Sequence, residues 1–578
     1  MKSRARPGPA PGPAAGPGAG APPAKEAGGI EGREEAAADG SGPGTGPGRL
    51  GRAGLAAIGV SLVCFLTTSL LGPSAMEPAL PGRPGQPPWA FAAAPSPYLV
   101  IGLVTAGVLV GAGGLLACFA AAGRGWRCRP FPLVAAGILV AAAFAFLPPI
   151  GSGDHLNYAA YGRMVVTGHD PYTTRAVDMP GDPVVGAVEE WRRAPSVYGP
   201  LATAQEAFAS WIGGESMRLT VFVMSLLNSL AFAATAAVLY RTSRTPERRL
   251  RTALMWTLNP LLLFHLVAGS HNDTLAIAPM VAALAVFAGR TASADDGADG
   301  PGRGAPRAPR ARALAAGALT GTAMAIKLPA ALVGGGPAWG LLRRWYRTRE
   351  GSALVRAAAL CAGAAAVAAV TFALAGPHAL DQVSRASNSV SLATPWHLVD
   401  LLLGRGGHRT LIKIGFVLLT LVLVALLARA LPRDPAPSGP TAPGGLADPG
   451  GFTAADERAE SLRAAAALVL AWLLAAPYEL PWYDGFAWAA LALLPWSRFD
   501  RLLLAHTTAL SLAYLPARDP DLIGLPDGLR WLATVVRPFV IPVLTTAILI
   551  AVIRTCLRGG GRAPAPARSP RASAGSRG

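Results

Sequence analysis

Acids, histidines and aromatic residues recur at helical or turn spacing in a chain that is otherwise apolar. In GSGDHLNYAAYGRMVVTGHDPY, residues 151–172, Asp154 follows an apolar run that ends near Leu147, and Tyr158 and Tyr161 come later on the same helical face. A carboxylate at a membrane boundary is lifted in pKa by partial desolvation, which suits a general base taking a proton from a hydroxyl. The alternative is a helix N-cap, with Asp154 satisfying amides at the start of the helix. Asp170 precedes Pro171, so it reads as a turn former, with substrate contact as the alternative. His155, Arg163 and Tyr172 complete the substrate-binding candidates of this stretch. A helix lying on the membrane surface is the competing reading of the whole stretch.

Three further clusters carry chemistry. His271, Asn272 and Asp273 fill a tight GSHND turn between two apolar runs and offer donors and acceptors for hydroxyls or phosphate oxygens, with turn formation as the alternative. Lys327, in TAMAIKLPAALVG, lies deep in an apolar segment beside a proline; an ionisable group there is a functional hypothesis by default, with a lipid-linked phosphate as the expected counter-ion and snorkelling as the rival account. Tyr478, Glu479, Trp482 and Tyr483, in AAPYELPWYDG, form either an aromatic belt or a stacking surface for rings beside a carboxylate. Tyr198 in SVYGP belongs to the same group, and Arg163, Arg192 and Arg193 are possible bidentate phosphate donors. A His-Asn-Asp run is not a metal motif, and the five cysteines are scattered without CxxC or ligand spacing, so no metal and no cofactor are expected.

Positioning these groups requires a membrane fold. With 52% hydrophobic and only 15% charged residues over 578, the composition lies outside that of a soluble domain. The net charge of +18 does not indicate nucleic acid, because the arginines flank apolar runs instead of forming a basic domain with interleaved aromatics. Lysine occurs only at Lys2, Lys25, Lys327 and Lys413.

Apolar runs near 55–73, 98–122, 132–149, 218–240, 252–268, 274–288, 313–327, 328–342, 355–375, 411–428, 464–477, 484–497, 502–516 and 532–553 predict an all-α polytopic membrane protein with about 12–14 transmembrane helices. Arginines gather in alternate connections, at Arg124 to Arg129, Arg241 to Arg251, Arg303 to Arg312 and Arg343 to Arg349, while the turns 269–273 and 478–483 have none. The positive-inside rule therefore puts both termini in the cytoplasm and gathers the loop 150–217, the GSHND turn, the loop 376–410 and YELPWY on the outer face. The Pro- and Gly-rich stretches 1–50, 290–312, 432–460 and 556–578 read as disordered.

GDHLNYAAYGR followed by GHDPY, then SVYGP, NPL with GSHND, AIKLP and PWY, resemble in order and spacing the GT-C glycosyltransferases. The likeness is greatest to the actinobacterial polyprenol-phosphate-mannose-dependent alpha-1,6-mannosyltransferases, and it covers roughly 50–555. The resemblance implies a GT-C-like bundle in the cytoplasmic membrane, with a large outer loop bearing amphipathic helices. It implies a polyprenyl-phosphate-linked mannose donor, a glycan or glycolipid acceptor in mannan or lipoglycan synthesis, and an inverting displacement. An acidic residue of the first large outer loop is essential in such enzymes, a role that falls on Asp154. Two spans precede this loop's own span, a departure from the family pattern. A monophosphate donor removes the need for a metal. A transporter or flippase of lipid-linked sugars, and a GT-C enzyme using another sugar such as arabinofuranose, are the rival readings.

Overall fold

Proline and glycine punctuate long alanine- and leucine-rich runs, and helix follows helix as a result. The computed structural model describes residues 46–289, 307–381, 389–404, 406, 408–433 and 452–559, all within one unit, Ser41–Gly578. The helices are α1 (Gly46–Leu71), α2 (Pro97–Gly123), α3 (Pro130–Ala145), α4 (Asp154–Val166), α5 (Pro200–Gly213), α6 (Met217–Thr242), α7 (Pro246–Thr252), α8 (Pro260–Leu262), α9 (Asp273–Ala288) and α10 (Arg307–Ile326). They continue with α11 (Gly335–Thr348), α12 (Gly351–Ala375), α13 (Pro395–Leu402), α14 (Arg409–Ala430), α15 (Ala454–Ala475), α16 (Asp484–Ala492), α17 (Arg498–Ala513), α18 (Asp527–Trp531) and α19 (Ile541–Leu557). Proline opens α2, α3, α5, α7, α8 and α13, where its missing N–H has no helical partner to lose.

The protein is an all-α polytopic membrane protein. No strand occurs among the described residues, and seven helices are long and apolar enough to cross a membrane: Gly46–Leu71, Pro97–Gly123, Met217–Thr242, Pro246–Ala268, Gly351–Ala375, Arg409–Ala430 and Asp527–Leu557. Each of the runs expected to span overlaps a helix, but Pro130–Ala145 and Asp273–Ala288 are shorter, and α10 and α15 begin with charged turns.

Within Pro246–Ala268, residues 250–268 are all buried. This segment is not one α-helix. Asn259 interrupts it: its Oδ1 accepts from the amides of Leu261 and Leu262, and Pro260 restarts the helix. On either side, Ala253–Thr257 and Leu263–Ala268 are widened π-helical turns. The Asn-Pro pair of the NPL motif is therefore a structural device that directs the chain into the GSHND turn.

Two boundaries correct the sequence reading. Residues 454–460, expected within a disordered insertion, begin α15: Thr453 and Asp456 form a reciprocal capping box, and Glu457 and Glu460 are buried against Arg344, Arg356, Arg343 and Arg463. Likewise α10 starts at Arg307, where Arg312 donates to the Gly289 carbonyl, and α1 and α19 reach into the stretches read as tails. The remainder of the expected disorder, 1–45, 290–306, 434–451 and 560–578, lies outside the described residues.

Helix α4 also differs from a surface helix. Leu156, Tyr158, Tyr161 and Met164 are all buried, packed with Val184, Val185, Ala209 and Val221 of the surrounding loop and helices. The loop 150–217 thus folds back over the bundle and holds α4 inside it.

Candidate functional site

Asp154 opens α4, but it does not cap it: the N-cap position belongs to Gly153, which has no side chain to bond the helix amides. The Ser152 hydroxyl accepts from the Asp154 amide at 3.0 Å, which fixes the backbone, and it also lies close enough to the carboxylate to favour its charged form. Its side chain is 14% exposed, and one oxygen faces His271 Nε2 at 3.9 Å. Burial, reinforced by the negative charge of Glu190, pushes the Asp154 carboxyl up to about 7. A carboxyl in that range exchanges protons readily near neutral pH.

The turn 269–273 positions His271. Its geometry demands a glycine at 269, because a Cβ there would meet the His265 carbonyl and the His271 ring. Ser270 takes a left-handed conformation with φ of 52° and accepts a hydrogen bond from Ser225. His271 Nδ1 meets the His265 carbonyl, an acceptor only, so the proton resides on Nδ1 and Nε2 keeps its lone pair toward Asp154. The imidazole lies flat on Trp482, with centroids 3.6 Å apart and planes 18° from parallel. Burial holds it neutral, well below its ordinary pKa. Asn228 secures the turn from α6 by donating to the carbonyls of Leu266 and His271.

Lys327 joins this group through its neighbour in the turn. Both Asp273 oxygens accept from Lys327 Nζ at 2.8 Å, with Asp273 fully buried. The counter-ion of the intramembrane lysine is thus Asp273, which corrects the expectation of a lipid phosphate in that role. Nζ also sits over the rings of Tyr483 at 4.1 Å and Tyr198 at 5.6 Å. Tyr198 reaches Lys327 because the SVYGP segment docks on the AIKLP break: Gly199 donates to the Ile326 carbonyl, and a Cβ at Gly199 would collide with Ala325. The Tyr198 hydroxyl then donates to that of Tyr158 at 3.2 Å.

The PWY segment contributes Trp482 and Tyr483 to the same locus, and the charge of Asp154 acts on the phenols of Tyr478, Tyr483, Tyr198 and Tyr514. Glu479 does not face this space. It turns toward His506, whose Nε2 lies 3.5 Å from Glu479 and whose Nδ1 lies 3.1 Å from Asp484, all three side chains at most 2% exposed. Ligand atoms of these three residues fall within 4.8 Å of one another, so they form a group able to hold a metal ion. As folded, the two imidazole nitrogens face these two carboxylates.

Asp154, Tyr158, Tyr198, His271, Asp273, Lys327, Trp482 and Tyr483 therefore come together at one end of the bundle. Besides Glu479, four expected substrate contacts do not join them. Tyr161 donates to the Ala194 carbonyl, Arg163 is paired with Asp182 at 2.9 Å, the Tyr172 hydroxyl bonds Thr203, and Asp170 accepts from the Tyr172 amide in a side-chain turn. All four hold the loop 150–217 in its fold. His155 is fully buried, and among the described residues neither ring nitrogen has a hydrogen-bond partner.

Sequence reasoning missed Glu190 and Glu206. Glu206, on α5, accepts from Asn272 Nδ2 at 2.6 Å while its second oxygen has no partner among the described residues, and burial pushes it up to about 8. Its signal was a lone acid in the helical stretch PLATAQEAFASW. Glu190 accepts from the Asp519 amide and is also raised, chiefly by burial.

The sequence profile of the family described as alpha-(1->6)-mannopyranosyltransferase, N-terminal domain, matches residues 56–343. The chain belongs to this family. The matched alpha-(1->6)-mannopyranosyltransferase segment contains Asp154, His271, Asp273 and Lys327 but ends before the PWY loop. Curated relatives include alpha-(1->6)-mannopyranosyltransferase A of Corynebacterium glutamicum, 28% identical over 133 residues (23% of this chain and 27% of the relative). The enzyme of the same name from Mycobacterium tuberculosis is 28% identical over 195 residues, 32% of this chain and 37% of its own. A probable alpha-(1->6)-mannopyranosyltransferase of Mycolicibacterium smegmatis is 31% identical over 142 residues, covering 23% and 25%. The chain thus spans between about a quarter and just over a third of the length of these relatives. No solved structure matches it.

Proposed function

We propose that the protein is an inverting mannosyltransferase that moves mannose from a polyprenyl-phosphate donor to a mannan or glycolipid acceptor, in alpha-1,6 linkage, at the outer face of the cytoplasmic membrane. One observation carries the reading: a carboxylate raised to about 7, Asp154, lies 3.9 Å from a neutral, ring-stacked histidine in the segment shared with the mannosyltransferase family.

In this reading an acceptor hydroxyl binds between Asp154 and the tyrosines. Asp154 takes the hydroxyl proton as the oxygen attacks the anomeric carbon, and the bond from that carbon to the phosphate oxygen breaks. A beta-linked donor sugar becomes alpha-linked, and polyprenyl phosphate departs. The aromatic walls of Trp482 and Tyr483 suit stacking against sugar rings, and the Lys327–Asp273 pair fixes their placement. His271 Nε2 accepts a hydrogen bond from the protonated Asp154 or from a bridging hydroxyl. Asp154 needs no metal for this step, because the leaving group is a monophosphate.

The reading is tested by supplying purified protein with polyprenyl-phosphate [14C]mannose and, separately, GDP-[14C]mannose, beside a short alpha-mannoside. Transfer from the lipid-linked donor alone is expected; transfer from the nucleotide sugar, or from neither, overturns it. The orientation is tested by placing a cysteine at Arg192, an exposed position of the outer loop. It should react with an impermeant maleimide on intact cells, and labelling only after lysis contradicts the proposed face.

A further inference from the structure

A lipid-linked donor brings a phosphate to the site; of the basic residues named from sequence, Arg192 and Arg193 are exposed on the loop 150–217, and Lys327 and Arg163 are already committed to Asp273 and Asp182. Arg537 is not. It lies in the π-helical turn Leu532–Val540, inside the apolar segment Asp527–Leu557 that is long enough to cross a membrane. Val535, Phe539 and Val540, its close neighbours in sequence, are exposed apolar side chains of that segment.

Among the described residues no carboxylate forms an ion pair with Arg537. Its Nε donates to the Ala513 carbonyl at 2.7 Å and its Nη2 to the Pro516 carbonyl at 2.9 Å. Those two bonds aim the planar group and leave Nη1 with no protein partner. The guanidinium lies over Tyr514, 5.5 Å from the ring centre; Tyr514 meets Trp482 edge-on at 5.1 Å, and Trp482 is stacked on His271. Two aromatic rings therefore separate Arg537 from the histidine that faces Asp154. The charge of Glu190 acts on Arg537 only from beyond ion-pair distance, so a phosphate at the open Nη1 would complete its pairing. The fork geometry of the guanidinium fits phosphate oxygens.

We infer that Arg537 holds the phosphate of a lipid-linked substrate and stabilises it as the leaving group, an inference that rests on the polyprenyl-phosphate donor proposed above. The residue lies outside the segment matched by the family profile, residues 56–343. The phosphate of a bulk anionic phospholipid offers the same chemistry, and the test separates the two.

Wild type, Arg537→Gln and Arg537→Lys are reconstituted in phosphatidylcholine nanodiscs, with and without phosphatidylglycerol, and assayed with a synthetic polyprenyl-phosphate mannose and a short alpha-mannoside. Arg537→Gln is expected to raise the KM for the donor about tenfold or more, with the KM for the acceptor and the thermal midpoint little changed, and Arg537→Lys to recover part of the loss. An unchanged donor KM in Arg537→Gln overturns the inference. So does a difference between wild type and variant that appears only when phosphatidylglycerol is present, since that assigns Arg537 to bulk lipid. A loss of kcat that follows the loss of folded protein, with donor KM unaltered, assigns it a structural role and also overturns the inference. A wild type that uses no polyprenyl-phosphate sugar removes the donor reading itself and this inference with it.

Discussion

His271 presents the lone pair of Nε2 to Asp154 across 3.9 Å, because its Nδ1 proton is committed to the His265 carbonyl. A lone pair facing an ionised carboxylate is unfavourable. The pair is relieved when the carboxyl is protonated or when a donor hydroxyl enters between them. With burial lifting Asp154 to about 7, the base form is present above that pH and lost below it. The expected profile of kcat/KM for sugar transfer therefore rises with pH through an apparent pKa near 7 and levels off above it. A profile that falls through the same range would mark Asp154 as an acid and contradict the role.

The Lys327–Asp273 pair is bidentate and buried, so removing one partner leaves an uncompensated charge. Lys327→Met should cost about 3–5 kcal/mol of stability, seen as a loss of folded protein after solubilisation. Lys327→Met combined with Asp273→Leu should recover most of that loss without recovering transfer. Full stability of the single variant would show that the pair does not hold the site together.

Glu206 gives a pH-dependent stability effect of definite sign. Its folded-state pKa, about 8, lies above the unfolded carboxyl value, so its contribution is present at acidic pH and is lost as pH rises through about 8. Glu206→Gln keeps an oxygen for Asn272 and removes the charge. The variant should melt higher than wild type at pH 8.5 and close to it at pH 5. A gain of equal size at both values would place the effect elsewhere.

Buried between Glu479 and Asp484, His506 bridges the PWY loop to α17. Dialysis against EDTA should leave transfer unchanged, and His506→Ala should lower the thermal midpoint. Loss of activity on chelation with recovery by a divalent ion would instead make these three residues a metal site.

Helical architecture was legible because apolar runs and proline punctuation are local properties, and Asp154, the GSHND turn, Lys327 and PWY stood out as polar residues in apolar surroundings. Partnership was not legible. Nothing local in the sequence says that Asp273 neutralises Lys327, that Glu479 turns to His506, or that Arg163 pairs with Asp182, because each depends on which helices become neighbours. The helical start of α15 was hidden for the same reason: its acids look solvated until Arg343, Arg344 and Arg356 are brought beside them. Arg537 was unremarked because arginine is frequent in the chain, and only the structure separates one without an ion-pair partner from those with one.

The central claim is that Asp154 acts as the base in mannose transfer. The most direct measurement compares wild type with Asp154→Asn, purified and shown to be equally folded, in both turnover and binding of polyprenyl-phosphate mannose. The account predicts donor binding within about twofold of wild type and turnover reduced by roughly 10²–10⁴. Near-normal turnover by Asp154→Asn would contradict it.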